Sequence, residues 1–250
     1  MDGGLATAAD GVRLAYLDEG PREAPALFLC TMGAAAMSVW DPVAGPLAQG
    51  WRVIRHDRRG DGESDPGAPE SHRFETYAAD ALAVLDHLRV DRAFVCGMAF
   101  GARVAMRLPL AAPQRVRGLV LFDATGGPPA PEPERRAKAE AAARLRTAAG
   151  LANVAVDRRW FHRRDPSGAG LNRHAFAGQP DWLPGLEAMR TPTLVACGDH
   201  DPNLPGARRL AAEIPGARFE LMDMTGHASI LERPDLVLQL TAAFLEEYAR

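Results

Sequence analysis

"FVCGMAFGARVAM", Phe94 to Met106, decides how this chain is read. An apolar run ends at Cys96, Gly97 and Gly101 bracket three residues, and helical spacing of apolar residues begins at once. That is a strand, a sharp turn and a helix, with the spacing of a G-x-S-x-G nucleophile elbow. The two glycines let the backbone turn tightly and let the helix pack close to the strand. Ala99 stands at the central position, where the elbow would present a hydroxyl.

Working outward, "ALFLC" and "WRVIRHD" lie before this stretch, and "VRGLVLFDA", "TPTLVACGD" and the weaker "ARFELMD" lie after it. Near-continuous apolar strands alternating with amphipathic helices predict an α/β fold whose mostly parallel sheet is covered on both faces. Helical spacing is read over 38–48, 74–88 and 99–108, and a closing helix over 234–248 starts with proline, which suits a first turn. Upstream, "LATAADGVRLAYLDEG" predicts two strands joined at an Asp10-Gly11 turn. Residues 1–124 and 191–250 are expected to form the core domain. Residues 125–190 interrupt the rhythm with "GGPPAPEPE", an alanine- and arginine-rich helix to about Ala149, and an irregular run through Trp182. They are expected to form a short helical cap, or lid, over the sheet's C-terminal edge, anchored by Leu145, Leu151, Val154, Trp160, Phe161 and Trp182.

The 250 residues suit one α/β domain. Twenty-nine Lys and Arg against 32 Asp and Glu give a net charge of -3, with the cations scattered among acids, so no nucleic-acid partner is expected. No apolar run approaches the roughly 20 residues that span a bilayer. The N-terminus lacks the basic start and apolar stretch of a signal peptide, so a cytoplasmic protein with no membrane partner is expected. Cys30, Cys96 and Cys197 are widely spaced and lie in strand-like runs; they form neither a disulfide framework nor a metal motif. Neither a metal nor a cofactor is expected, and the oligomeric state is left open.

Two later loops carry chemistry. "CGDHDPNLP" follows the "TPTLVACG" strand, and "MTGHASILERPD" precedes the last helix. An elbow enzyme takes its acid and then its histidine from loops past later strands, and Asp201 and His227 fit that order. Asp199 is the local competitor for the acid, and Asp123 the more distant one. Ser38, Ser229, Thr31 and Cys30 are the stand-in nucleophiles by type, and none of them sits on an elbow. His56 is read as a satisfied structural histidine. His72, His87, His162, His174 and His200 have no motif around them. Arg135, Arg136, Arg144 and Arg146 are read as a solvated helical face.

Taken in order, "MGAAAMSVWDP", "RHDRRGDGESD", "CGMAFG", "PTLVACGDHD" and "GHASILERPD" resemble the α/β-hydrolase-fold superfamily, and within it the 3-oxoadipate enol-lactonase group. The resemblance covers most of the chain outside 125–190. It implies an oxyanion hole made by the backbone N–H groups of Met32 and Phe100. It also implies a structural role for Asp57, Arg59, Gly60, Gly62 and Ser64. Cys30 stands where many such proteins carry the histidine of a His-Gly pair. The decisive departure is Ala99, which has no lone pair to attack a carbonyl.

Three functions are compatible with this set. The first is an enzyme acting on a small activated carbonyl substrate, such as an enol lactone, an ester or a β-keto compound. His227, oriented by Asp201, would be the general base, without a serine nucleophile. Hydrolysis, lyase, isomerase, cyclase and cofactor-independent oxygenase chemistry all fit this frame. The second is a serine ester or lactone hydrolase carrying an inactivating Ser-to-Ala substitution at position 99. The third is a noncatalytic small-molecule-binding protein.

Overall fold

Eight strands form one twisted sheet in the computed structural model, which describes residues 2–151 and 154–249. In chain order these are β1 (Asp2–Thr7), β2 (Arg13–Glu19), β3 (Ala26–Cys30), β4 (Arg52–His56), β5 (Ala93–Met98), β6 (Val116–Phe122), β7 (Thr193–Gly198) and β8 (Arg218–Met222). The helices are α1 (Asp41–Leu47), α2 (Phe74–His87), α3 (Phe100–Ala111), α4 (Glu132–Ala148), α5 (Leu204–Glu213), α6 (Ser229–Glu232) and α7 (Pro234–Tyr248). The sheet order is β1-β2-β4-β3-β5-β6-β7-β8. β1 and β2 pair antiparallel, β2 joins β4 antiparallel, and every other pairing is parallel.

The sheet buries both faces because its central strands β3 and β5 are apolar and buried at every position. Phe28, Val95, Leu121 and Val195 point into one core layer beneath α2, α3 and α5. Their strand neighbours Leu29, Cys96, Val120 and Ala196 point into the opposite layer beneath α1 and α7. That alternation is the two-residue period of a pleated strand, used twice. β8, at the edge, keeps only Met222 fully buried.

The elements expected from the sequence are present, with informative shifts at their ends. The helix expected over 38–48 is a 3-10 turn (Met37–Trp40) followed by α1, because Pro42 fixes a helix start of its own. α3 runs past Pro109 to Ala111. α5 was not anticipated, although Pro205 in its first turn and Leu204, Ala207, Leu210 and Ala211 on one face carry the helical signal.

Between β6 and β7 the chain runs through α4 and four short 3-10 turns among the described residues. Trp160 is buried there, and Val154 and Trp182 pack against the core layers. Leu145, Leu151 and Phe161, expected as anchors, are exposed. α4 docks instead through a small-residue face: a Cβ added at Gly226 would lie 2.9 Å from the Ala139 backbone. Arg146 completes the contact, buried against Glu232 at 2.7 Å and the Met224 carbonyl at 2.5 Å. No helix among the described residues is long and apolar enough to cross a membrane.

Candidate active site

The parallel sheet delivers its loops to one edge. β5 leaves that edge through Ala99, which adopts φ 50° and ψ -110° as the N-cap of α3. A non-glycine residue held there costs on the order of 1–3 kcal/mol, so the surroundings must over-determine it. They do: Ala99 N donates to the Phe122 carbonyl at 2.9 Å, and β5 is paired on both sides up to the turn. The flanking glycines are obligatory. A Cβ at Gly101 would lie 2.1 Å from the Cys30 carbonyl oxygen, and one at Gly97 would lie 2.6 Å from that of Gly101.

A cavity of about 320 Å³ opens above this turn, and Met32, Ala99, Phe100 and His227 all line it. The Met32 and Phe100 backbone N–H groups have no protein acceptor among the described residues. For Phe100 this follows from its place in the first turn of α3, where amide groups lack intrahelical partners. Arg58 steadies the Met32 loop: it donates to the Thr31 carbonyl at 3.1 Å, and its guanidinium lies 4.4 Å from the centre of the Phe100 ring.

His227 sits on the loop between β8 and α6. Glu232 grips that loop by accepting from Gly226 N at 2.9 Å and Ala228 N at 3.3 Å, on either side of the histidine. The ring's Nδ1 lies 3.0 Å from Asp201 Oδ2 and 3.1 Å from Asn203 Nδ2. These neighbours ask for opposite tautomers, since the carboxylate accepts a proton and the amide offers one. A charge-assisted bond is about twice as strong as a neutral one, so Asp201 wins and Nδ1 carries the hydrogen. The Nε2 lone pair is then free, and Nε2 has no protein partner among the described residues.

Asp201 is buried, and its second oxygen accepts from Asn203 N at 2.9 Å. Asp199 is committed elsewhere, accepting from Thr225 N at 3.0 Å and lying 2.7 Å from His200 Nδ1. Asp123, at the end of β6 with φ 53°, does line the cavity. One of its oxygens accepts from Ser229 N at 2.9 Å, and the other is buried without a partner. Burial first, and the Asp201 carboxylate second, push the Asp123 carboxyl up to about 7. Asp123, Cys197 and Asp201 also place one ligand-type atom each within 4.8 Å of one another. The Cys197 thiol is held protonated, its ionisation pushed far up by burial and by both carboxylates, and it donates to Asp201 at 3.5 Å.

None of the stand-in nucleophiles lines the cavity. Ser229 and Thr31 are fully buried, Ser38 donates to the Arg159 carbonyl at 3.0 Å, and burial pushes the Cys30 thiol up to about 12. Among the described residues, Thr125 brings the one hydroxyl to the cavity wall, with no sequence motif to mark it; it accepts from Gly127 N at 3.1 Å. Asn203 and Arg103 also line the cavity and were not singled out from the sequence.

The "DRRGDGESD" residues hold a loop together. Asp57 accepts from Met37 N and Glu63 N, Ser64 donates to the Asp57 carbonyl, and Arg59 joins Asp80 and Asp10. His56 is buried, yet both of its ring nitrogens lack partners, so it is not the satisfied histidine expected. His72 bonds Tyr77 and the Pro66 carbonyl, each at 2.7 Å. Of the α4 arginines, Arg136 and Arg144 are solvated, whereas Arg146 is buried and Arg135 lines the cavity.

The sequence profile of the alpha/beta hydrolase family matches residues 27–240. The chain belongs to this family. It is 25% identical to a 3-oxoadipate enol-lactonase of Acinetobacter baylyi, an alignment covering 97% of this chain and 96% of that one. A rhodomycin D methylesterase of a Streptomyces species is 32% identical over 83% of this chain and 86% of its own. Among solved structures, the enol-lactonase from Burkholderia xenovorans superposes with a TM-score of 0.79 at 26% identity, covering 97% of this chain and 100% of the other.

Proposed function

We propose that this α/β hydrolase cleaves a small activated ester or lactone by general-base attack of water, without a covalent intermediate. The observation that carries the proposal is the free Nε2 of His227. It shares one cavity with two unpaired backbone donors and the methyl group of Ala99. In this mechanism Nε2 takes a proton from water as the oxygen adds to the carbonyl carbon. The carbonyl electrons move to oxygen, where the Met32 and Phe100 N–H groups receive the charge. The tetrahedral species then collapses by expelling the alkoxide or enolate, which takes the proton back from Nε2.

The magnitudes favour an activated substrate. General-base assistance supplies about 10²- to 10⁴-fold, and one well-placed oxyanion donor about 10²- to 10³-fold. With no acyl-enzyme to divide the reaction into easier steps, an enol or other stabilised leaving group suits the site best. Residues 125–190 act as a cap in this account, contributing Thr125, Arg135 and Phe176 to the cavity wall. The enol-lactonase and esterase names of the relatives are consistent with this substrate class.

One observation favours a second reading, a serine hydrolase carrying Ala in place of its nucleophile: Ala99 keeps a strained elbow conformation that presents only a methyl group. Ala99→Ser decides between them. If the parent hydrolyses a lactone or activated ester and resists fluorophosphonate labelling, the water mechanism stands. An inert parent, together with an Ala99→Ser variant that is both active and labelled, establishes the second reading.

A further inference from the structure

Seven arginines are buried among the described residues: Arg52, Arg55, Arg58, Arg59, Arg103, Arg107 and Arg146. Six hold a carboxylate, from Asp18, Glu19, Asp61, Asp80, Glu75 and Glu232 respectively. Arg103 holds none. It is 7% exposed, one of its terminal nitrogens has no hydrogen-bond partner, and it lines the cavity that holds His227. An isolated charge in a protein interior is costly unless paired, and an arginine cannot escape by losing its proton.

No described residue supplies Arg103 with a countercharge. Arg103 lies one turn from the start of α3, near the positive end of the helix dipole. Burial first, and Arg107 second, pull its guanidinium down to about 10, which still leaves it charged at neutral pH. The rings of Phe74 and Phe176, with centres 5.8 and 5.5 Å from the guanidinium carbon, cradle the cation but cannot neutralise it. Arg135, on α4, adds a second guanidinium to the same wall and donates to the Ala130 carbonyl.

We propose that Arg103 is a specificity residue that receives a carboxylate on the substrate, so that the enzyme acts on small esters or lactones bearing a second, anionic group. Arg103 lies four residues past Ala99, its backbone N–H donates to the Ala99 carbonyl across the first turn of α3 at 3.4 Å, and both residues line the cavity. The carboxylate therefore docks about one helical turn from the reacting carbonyl, held by a planar donor that matches its two oxygens. The assignment rests on the cavity being the substrate site, as argued above, but its test does not require turnover.

The test measures binding by NMR titration of the parent with monoethyl glutarate and with the neutral diethyl glutarate. The parent should prefer the monoanion by about 10- to 100-fold, the range expected for a charge-assisted hydrogen-bonded pair. Arg103→Gln should abolish the preference, and Arg103→Lys should restore part of it. Circular dichroism on both variants separates a lost contact from a lost fold. A parent without preference, a preference that survives Arg103→Gln, or equal displacement of the monoanion by inorganic phosphate overturns the carboxylate assignment. A preference that follows Arg103 in a protein that turns over no enol lactone or activated ester sinks the hydrolytic reading and leaves the carboxylate-binding assignment standing.

Discussion

Asp123→Asn separates electrostatic cost from packing at the site. The Asp123 carboxyl is buried, one oxygen lacks a partner, and burial together with Asp201 pushes it up to about 7 from 3.8. A raised carboxyl pKa means that the folded state binds more protons than the unfolded state between about pH 4 and 7. Stability attributable to this group is therefore lost as pH rises through that window. Integrating the linkage gives a penalty for ionised Asp123 that is roughly 2 to 3 kcal/mol larger at pH 8 than at pH 5. Asparagine retains an acceptor for Ser229 N, removes the charge, and tolerates the positive φ of this position. Urea unfolding of both proteins at the two pH values should show the variant gaining about 2 to 3 kcal/mol on the parent between pH 5 and pH 8. An equal difference at both values would refute the claim that Asp123 titrates in a desolvated site.

Ala99→Gly should raise stability by roughly 1 kcal/mol, seen as a higher Tm, because glycine relieves the φ 50° strain; a lower Tm would show that the elbow is not strained. Gly101→Ala should cost several kcal/mol or prevent folding, since its Cβ meets the Cys30 carbonyl at 2.1 Å; near-parent melting would contradict that packing. Arg146→Met leaves Glu232 buried without its Arg146 countercharge, and should cost about 3 to 5 kcal/mol in chemical denaturation. In the same variant the His227 loop should exchange its Gly226 and Ala228 amides faster, because Glu232 grips both; unchanged protection would count against that clamp.

How much of this was legible in the sequence follows from the range of each interaction. The elbow, the sheet and the Asp201 and His227 loops were readable because local spacing specifies them: glycines at a turn, apolar runs of strand length, acid before histidine. α5 carries a local signal too, Pro205 in its first turn and Ala207, Leu210 and Ala211 on one buried face, but the run is only ten residues long and alanine-rich, so its apolar stripe is weak. Arg103 and Asn203 could not be weighted, because their significance is long-range. Seven arginines are buried among the described residues, and nothing in the sequence says that six of them find acids and one does not. Asp123 stood in the sequence as a remote rival to Asp201. Only the fold places it on the cavity wall with an unpartnered oxygen. α4 illustrates the opposite failure: its arginines read as one solvated face, but the docking of Ala139 and Ala142 turns Arg146 inward.

The central claim is that His227 works as a base in a site without a covalent nucleophile. Its most direct test is the steady-state hydrolysis of a panel of enol lactones and activated esters by the parent and by His227→Ala, with intact-mass measurement during turnover. The account predicts turnover by the parent with no acyl adduct, and a loss of about 10²- to 10⁴-fold in His227→Ala. Parent turnover unchanged by His227→Ala, or an acyl adduct on the protein during turnover, would contradict it.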